Sequence, residues 1–213
     1  MSVASTRIGG TVTVTTERSV DPETAELLWD LYCLSFESLA QRAAARQLLS
    51  RPDFDLEVLD ARVSKYLART EQGQIVGVCT LSDDLETVPW ISPEFYQARY
   101  PDCYARRAVF YCGIALVHPA ARSTPAFLQM VSAMGGAVAA AGGVLAADMC
   151  RFNIDVVELT GTVTSVLKRT WGSASLVELD TQTYLAWEPH DGIPRPRRPA
   201  RGACRSGVDG HEG

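Results

Sequence analysis

The chain has 213 residues, 46% of them hydrophobic and 21% charged, with a formal net charge of -5. That length suits one domain of ordinary size, able to bury roughly 70% of its unfolded surface, and the composition is that of a soluble globular protein. The acidic balance lacks the basic footprint of a nucleic-acid binder, so nucleic acid is excluded from the expected partners.

Met1 to Gly10 carries no apolar h-region, so no secretory signal is expected and the predicted location is cytoplasmic. Residues Gly10 to Glu17 alternate Thr and Val, the period of a half-buried strand. Asp21-Pro22 caps a helix whose apolar positions Leu28, Leu31, Phe36 and Leu39 recur at helical spacing, and the polar break Ser50 to Asp53 closes that region. A second helix is predicted from near Asp55, with Leu56, Leu59, Val63 and Tyr66 as its inner stripe. A strand from Tyr66 to Arg69 turns at Glu71 to Gln74, and Ile75 to Leu81 completes a hairpin. Ser82 to Arg107 is a long connection holding Trp90, Phe95, Tyr96, Tyr100 and Tyr104, with a short helix over Pro93 to Arg99 behind Ser92.

The run Ala108 to Val117 is uncharged and rich in β-branched and aromatic residues, which predicts a strand buried on both faces. His118-Pro119 and Arg122 follow, and Thr124-Pro125 opens the next helix. Such a helix start offers unpaired N–H donors and a positive dipole, a seat for a pyrophosphate. Residues 123–147 are long and uncharged enough to raise a membrane span. Gly135-Gly136 and Gly142-Gly143 interrupt the run, however, so a helix followed by a strand Val144 to Cys150 is expected and no membrane span. Asp155 to Trp171 fits a helix through Val156, Leu159, Val163 and Val166 or Leu167, against a high β-branched content and Gly161. Two strands near Ser175 to Glu178 and Thr183 to Trp187 end a domain spanning 1–189. Residues 190–213 are a Pro-, Arg- and Gly-rich tail expected to be disordered.

Of the six cysteines none lies in a CxxC spacing, so they read as reduced thiols, and neither Cys112 nor Cys150 has a His partner in its element to make it a nucleophile. His118, His190 and His211 sit in no ligand spacing, and no metal is expected. No GxxxxGK[ST] or GxGxxG occurs, so phosphoryl transfer and dinucleotide redox chemistry lack their usual footprint.

Val117, His118, Pro119 and Arg122 resemble the pattern Val-x-Pro-x-x-Arg/Gln-x-x-Gly-x-Gly/Ala of the GNAT superfamily of N-acyltransferases, with Pro125 and Phe127 where the family has its two glycines. The predicted order β, α, α, β, β, β, α, β, α, β, β is also similar to that family's, over about Gly10 to Pro189. The fold class this implies is α/β (α+β), a mixed, mostly antiparallel central sheet flanked by helices. The resemblance further implies acetyl-CoA or another acyl-CoA as donor, lying between the strands 108–117 and 144–150. Ile114, Leu116 and Val117 would meet its pantetheine, and His118, Arg122, Ser123, Thr124 and Ala126 its phosphates. The implied acceptor is the amine of a small molecule.

The family's strand Glu and helix Tyr fall near Val109 and Lys168 here. Catalysis is therefore assigned to Tyr111, as acid or acceptor ligand, and to Asp148, the only acid in its strand, as base or amine ligand. A looser similarity to acyl-homoserine-lactone and N-acyl amino acid synthases runs through Leu31, Tyr32, Phe36, Asp60, Tyr66, Gly77 and Trp90 to Phe95, with Thr80 in place of their arginine. It implies longer acyl chains delivered by an acyl carrier protein. An exposed strand edge leaves a homodimer open. A noncatalytic binding or scaffold role is the alternative, since it accounts for the lost glycines, Glu and Tyr together.

Overall fold

The structure, a computed structural model, describes residues 8–36, 42–43 and 49–187. Leu39, His190, Cys204, His211 and the 190–213 tail lie outside the described residues. The chain divides into two units, Met1–Thr181 and Gln182–Gly213, and residues 182–187 of the second have no regular secondary structure.

In the first unit, β1 (Val12–Glu17), α1 (Pro22–Phe36), α2 (Arg51–Val58), β2 (Ser64–Thr70), β3 (Ile75–Leu81), α3 (Pro93–Arg99) and α4 (Pro101–Ala105) come first. They are followed by β4 (Val109–Tyr111), β5 (Ala115–Val117), α5 (Ala126–Ala140), β6 (Val144–Ala146), α6 (Arg151–Asp155) and α7 (Leu159–Trp171). β1, β2, β3 and β5 form an antiparallel sheet in that order, while β4 and β6 pair in parallel as a second sheet. The mixed α/β class and the mostly antiparallel sheet agree with expectation.

Local chemistry explains the well-placed elements. The Asp21 carboxylate accepts the Thr24 N–H at 2.7 Å ahead of Pro22, and α1 buries Ala25, Leu28, Leu31 and Tyr32. The hairpin strand β3 and the helix α3 have the predicted bounds. α2 begins four residues earlier than predicted, because the Ser50 hydroxyl accepts the Asp53 N–H and Pro52 suits the first turn. Its inner face is therefore Phe54, Glu57 and Val58, not Leu56 and Leu59, which are 68% and 49% exposed. Val63 and Tyr66 lie beyond its end, buried in the approach to β2 and within β2.

The four-stranded sheet is covered on both faces. Leu28, Leu31 and Tyr32 of α1 and Phe54 and Val58 of α2 pack on one side with Leu67, Val78, Ile114 and Leu116. Met130, Met134 and Val138 of α5 and Val166 of α7 pack on the other with Tyr66, Ala68, Cys79 and Leu81. Each such fully buried side chain contributes about 1.5–3 kcal/mol.

The run 108–117 is not one continuous strand. Phe110 and Cys112 face the α5 side, and so do Ala115 and Val117, so the even-odd alternation reverses between them. One residue separates Thr80 from Ser82 at the end of β3, whereas two separate their partners Tyr111 and Ile114. The extra residue is a β-bulge at Cys112–Ile114 that divides the run into β4 and β5. β6 stops at Ala146, short of the predicted Cys150, because it follows β4 only as far as the Cys112 N–H to Ala146 C=O bond at 2.9 Å.

Asp155 to Trp171 is helical from Leu159, preceded by the separate turn α6. The predicted strands Ser175 to Glu178 and Thr183 to Trp187 do not form: 173–187 is without regular structure, with Leu176 and Leu185 67% and 70% exposed and no ladder to join. Among the described residues no helix is long and apolar enough to cross a membrane.

Two glycines on the α5 to β6 path test this packing. A Cβ on Gly143 would meet the Ala108 carbonyl oxygen, so Gly143→Ala should destabilise by about 1–3 kcal/mol in denaturant melts. Gly136, with nothing within 4 Å and inside α5, should gain about 0.5–1 kcal/mol as Gly136→Ala.

Candidate functional site

The bulge is held from below by side chains. Thr80, on β3, donates its hydroxyl hydrogen bond to Glu57 and accepts the Ile114 N–H at 2.8 Å. Ile114 thereby loses the usual ladder bond to the Thr80 carbonyl while Thr80 N–H still reaches the Ile114 carbonyl at 2.9 Å. Glu57 reaches under the strand from α2 and is 5% exposed. Its carboxylate fills the space that a side chain at position 113 would take, so a larger residue there would have to displace Glu57. One oxygen, Oε2, is buried without a hydrogen-bond partner.

Burial pushes the Glu57 carboxyl up to about 7, and the Asp148 charge adds to this. The Thr80 hydrogen bond and Lys65 act in the opposite direction. Lys65, the cross-strand neighbour of Thr80, is fully buried with its ammonium on the carbonyls of Asp60 at 2.6 Å and Arg18 at 3.0 Å. Desolvation pushes it down to about 8.

Beyond the bulge, β5 has β3 on one side and, among the described residues, no strand on the other. The bonds of Ile114 with Thr80 and of His118 with Val76 make 114, 116 and 118 the positions that pair with β3. The amides of Ile114 and Leu116 are therefore spent on the β3 side, and the backbone groups at the open edge belong to Ala115 and Val117. The Gly113 N–H also has no protein partner among the described residues. β6 pairs with β4 only as far as the Cys112 N–H to Ala146 C=O bond, so among the described residues the outer flank of β5 has no strand beside it.

Tyr111 and Asp148 stand 37 residues apart in sequence and meet here, the phenol donating to the carboxylate at 2.5 Å. Asp148 lies past the end of β6 and is exposed, so it is not the strand-embedded carboxylate that was expected. Desolvation, then the charge and hydrogen bond of Asp148, hold the Tyr111 hydroxyl far above the usual phenol range, with a hydrogen bond from Trp90 opposing. Such a phenol keeps its proton; it orients Asp148 better than it donates to a leaving thiolate. Tyr96 packs edge-on against Tyr111, with ring centroids 6.2 Å apart. Burial pushes Cys112 up to about 12, an inert thiol.

At the far end of β5, His118 Nδ1 accepts the Ala120 N–H at 3.1 Å and caps the short turn Pro119–Ala121, a local structural duty rather than a catalytic one. Thr124 donates its hydroxyl to the Ala121 carbonyl at 2.7 Å and accepts the Ala126 N–H at 3.4 Å, so Pro125, not Thr124, occupies the cap of α5. The Phe127 ring packs against the core on the α5 side. Phe127 and Leu128 carry first-turn N–H groups that a helix leaves without an internal partner. Arg122 and Ser123 are exposed, and Arg122 makes no ion pair with a described residue. Among the described residues no cluster of His, Cys, Asp or Glu has the makings of a metal site.

Sequence reasoning named Tyr111 and Asp148 without their contact, and missed Glu57. The signal for Glu57 was its place on the Phe54–Val58 face of α2.

No family model matches the chain, and no curated protein matches it. Among solved structures, it is similar to an aminoglycoside acetyltransferase from an uncultured soil metagenomic sample, with 10% identity over 83% of this chain and 97% of that one and a TM-score of 0.48. A ribosomal-protein-alanine N-acetyltransferase from Brucella melitensis biovar Abortus 2308 shows 15% identity over 84% and 100%, with a TM-score of 0.45. A probable acetyltransferase shows 14% identity over 83% and 99%, with a TM-score of 0.49. At those values the activities in these names remain statements about those proteins.

Glu57 links stability to pH. Its carboxyl titrates higher in the folded chain than the ordinary value of 4.5, so its contribution is fully present below about 4.5 and is lost as pH rises through about 7. Glu57→Gln should therefore gain on the wild type between pH 5 and pH 8 by up to about 3 kcal/mol, several degrees in Tm. A pH-independent difference in thermal melts would remove the buried carboxyl from the account.

Proposed function

We propose that this chain is an N-acyltransferase that moves an acyl group from a CoA thioester to the amine of a small molecule. The observation that carries this reading is the unpaired flank of β5, which opens beside the bulge at one end and runs into the His118–Arg122 loop at the other. This is also what the resemblance to the GNAT superfamily implies. A pantetheine arm is a chain of amides, and it can add to an open strand edge through main-chain hydrogen bonds with Ala115 and Val117, with no particular side chain required.

The remaining parts have chemical tasks that fit. The thioester supplies an acyl carbonyl activated toward amines. The Gly113 N–H, without a partner among the described residues, is a donor at the start of the open edge, suited to an oxygen that gains negative charge. Arg122 and the free N–H groups of the first turn of α5 suit phosphate, even though Pro125 and Phe127 replace the family's glycines. Asp148, aimed by Tyr111, suits an acceptor ammonium at the entrance. Donor length stays open between acetyl and longer chains, and a carrier-protein thioester would approach along the same edge. A cytoplasmic location accords with a CoA donor.

The alternative reading is a binding protein without turnover. The Tyr111 phenol that holds its proton and the missing strand Glu at Val109 favour it.

Thermal melts with CoA, acetyl-CoA, a medium-chain and a long-chain acyl-CoA test the donor, and an amine panel tests transfer. A donor at 100 times its Kd contributes about 2.7 kcal/mol, roughly 5–10 °C here. The reading expects such a shift, graded by acyl length, together with measurable transfer; binding without transfer would favour the alternative, and neither would end the proposal. Asp148→Asn should lower kcat/KM for the amine by tenfold or more while leaving the donor shift unchanged. Unaltered transfer in both Asp148→Asn and Tyr111→Phe would remove these two residues from the site.

A further inference from the structure

Glu57 poses a question that packing does not answer. A carboxylate 5% exposed is costly to bury, and a buried one normally has both oxygens hydrogen-bonded. Here Oε1 takes the Thr80 hydroxyl and Oε2 takes nothing. Glu57 forms no ion pair with a described residue, although Lys65 is buried on β2 beside Thr80. The side chain above it is absent, because position 113 is glycine and a Cβ there would strike the carboxylate. Gly113 itself is partly exposed, in the bulge between β4 and β5. The Glu57 carboxylate therefore lies against Gly113, with the unpartnered Oε2 3.1 Å from where a Cβ of residue 113 would stand.

We propose that Glu57 is the proton acceptor for the incoming amine, which docks as an ammonium on the unpartnered Oε2 by approaching past Gly113. This rests on the acyl-transfer reading and assigns the deprotonation of the acceptor amine. Glu57 takes one proton from the ammonium and leaves a neutral amine. The nitrogen lone pair then forms the C–N bond to the thioester carbonyl as the C–S bond breaks. The second amine proton goes to the departing sulfur, and Glu57 returns its proton to solvent. The donor and acceptor thus meet at the bulge, the thioester along β5 and the amine past Gly113.

The pH behaviour follows. Transfer should rise with pH as Glu57 ionises, with a limb near 7. The groups that face it are Lys65 from β2, which titrates near 8, Asp148 from beyond β6, which raises it, and Cys112 in the bulge, a thiol throughout this range.

The experiment compares wild type, Glu57→Gln and Thr80→Val for acyl transfer to a primary-amine panel (ethanolamine, putrescine and lysine) between pH 5.5 and 9, and for stabilisation by the same amines in thermal melts at pH 8. Glu57→Gln keeps an acceptor for Thr80, so the bulge stays pinned. It should lose about 10²- to 10⁴-fold in kcat/KM, lose the limb near 7, and lose the amine-induced shift while still responding to acyl-CoA. Thr80→Val removes a hydrogen bond that favours the charged carboxylate, so its limb should move to higher pH. A merely structural Glu57 would give equal losses in both variants with the limb unmoved, and this would overturn the proposal while sparing the acyl-transfer reading. So would full activity in Glu57→Gln. Wild type that is stabilised by amines through Glu57 but transfers no acyl group would end the acyl-transfer reading and the proton-transfer role, leaving an amine site. Amines that bind neither wild type nor Glu57→Gln, with no transfer, would overturn both.

Discussion

One hydroxyl, that of Thr80, lets a single stretch of chain belong to two sheets. It holds the Ile114 amide that an undistorted ladder would give to the Thr80 carbonyl, and so keeps one extra residue, Gly113, between β4 and β5. Before the bulge the chain runs in parallel with β6; after it, β5 runs along β3 alone. Everything proposed for this site depends on that divergence. A regular strand would pair β6 along its whole length and leave no open edge, and its alternation would put Ala115 and Val117 on the wrong face of the sheet.

The pin is costly to bury and is supported accordingly. Lys65, Thr80 and Glu57 form a polar core between α2 and the sheet, where an ordinary protein of this size would place aliphatic side chains. The Lys65 ammonium is satisfied by two carbonyls, and Glu57 only by half. A fully apolar core at these positions would be more stable, since buried charges seldom repay their desolvation. Stability given up at a defined point, beside a strand edge without a partner, is the usual physical mark of a site that does chemistry.

Much of the fold was legible where its signals are local. Asp21-Pro22 and Ser92-Pro93 mark helix starts by satisfying or dispensing with end N–H groups, and the turn Glu71–Gln74 closes the hairpin into β3. The bulge was illegible for a specific reason. A strand buried on both faces has no alternation of apolar and polar residues, so a reversal of its faces leaves no trace except one glycine. Glu57 was lost to a frame error: starting the helix at Asp55 turned Leu56 and Leu59 inward and left Glu57 off the inner stripe. With Ser50 as cap, Phe54 and Val58 set the inner face and Glu57 falls on it. The terminal strands show the converse, since the β-rich pattern of 175–187 is not matched by any ladder in the structure. Tyr111 and Asp148 were singled out by residue type, but a contact across 37 residues is a property of the fold.

The central claim is that the free edge of β5 is a docking edge for an acyl-pantetheine arm. Amide hydrogen exchange resolved to single residues, with and without saturating acyl-CoA, measures this directly. The account predicts that the Ala115 and Val117 amides exchange readily in the free protein and become strongly protected in the complex, with the outer edge of β1 unchanged. Acyl-CoA binding that leaves Ala115 and Val117 as they were, or that protects a different edge, would contradict it.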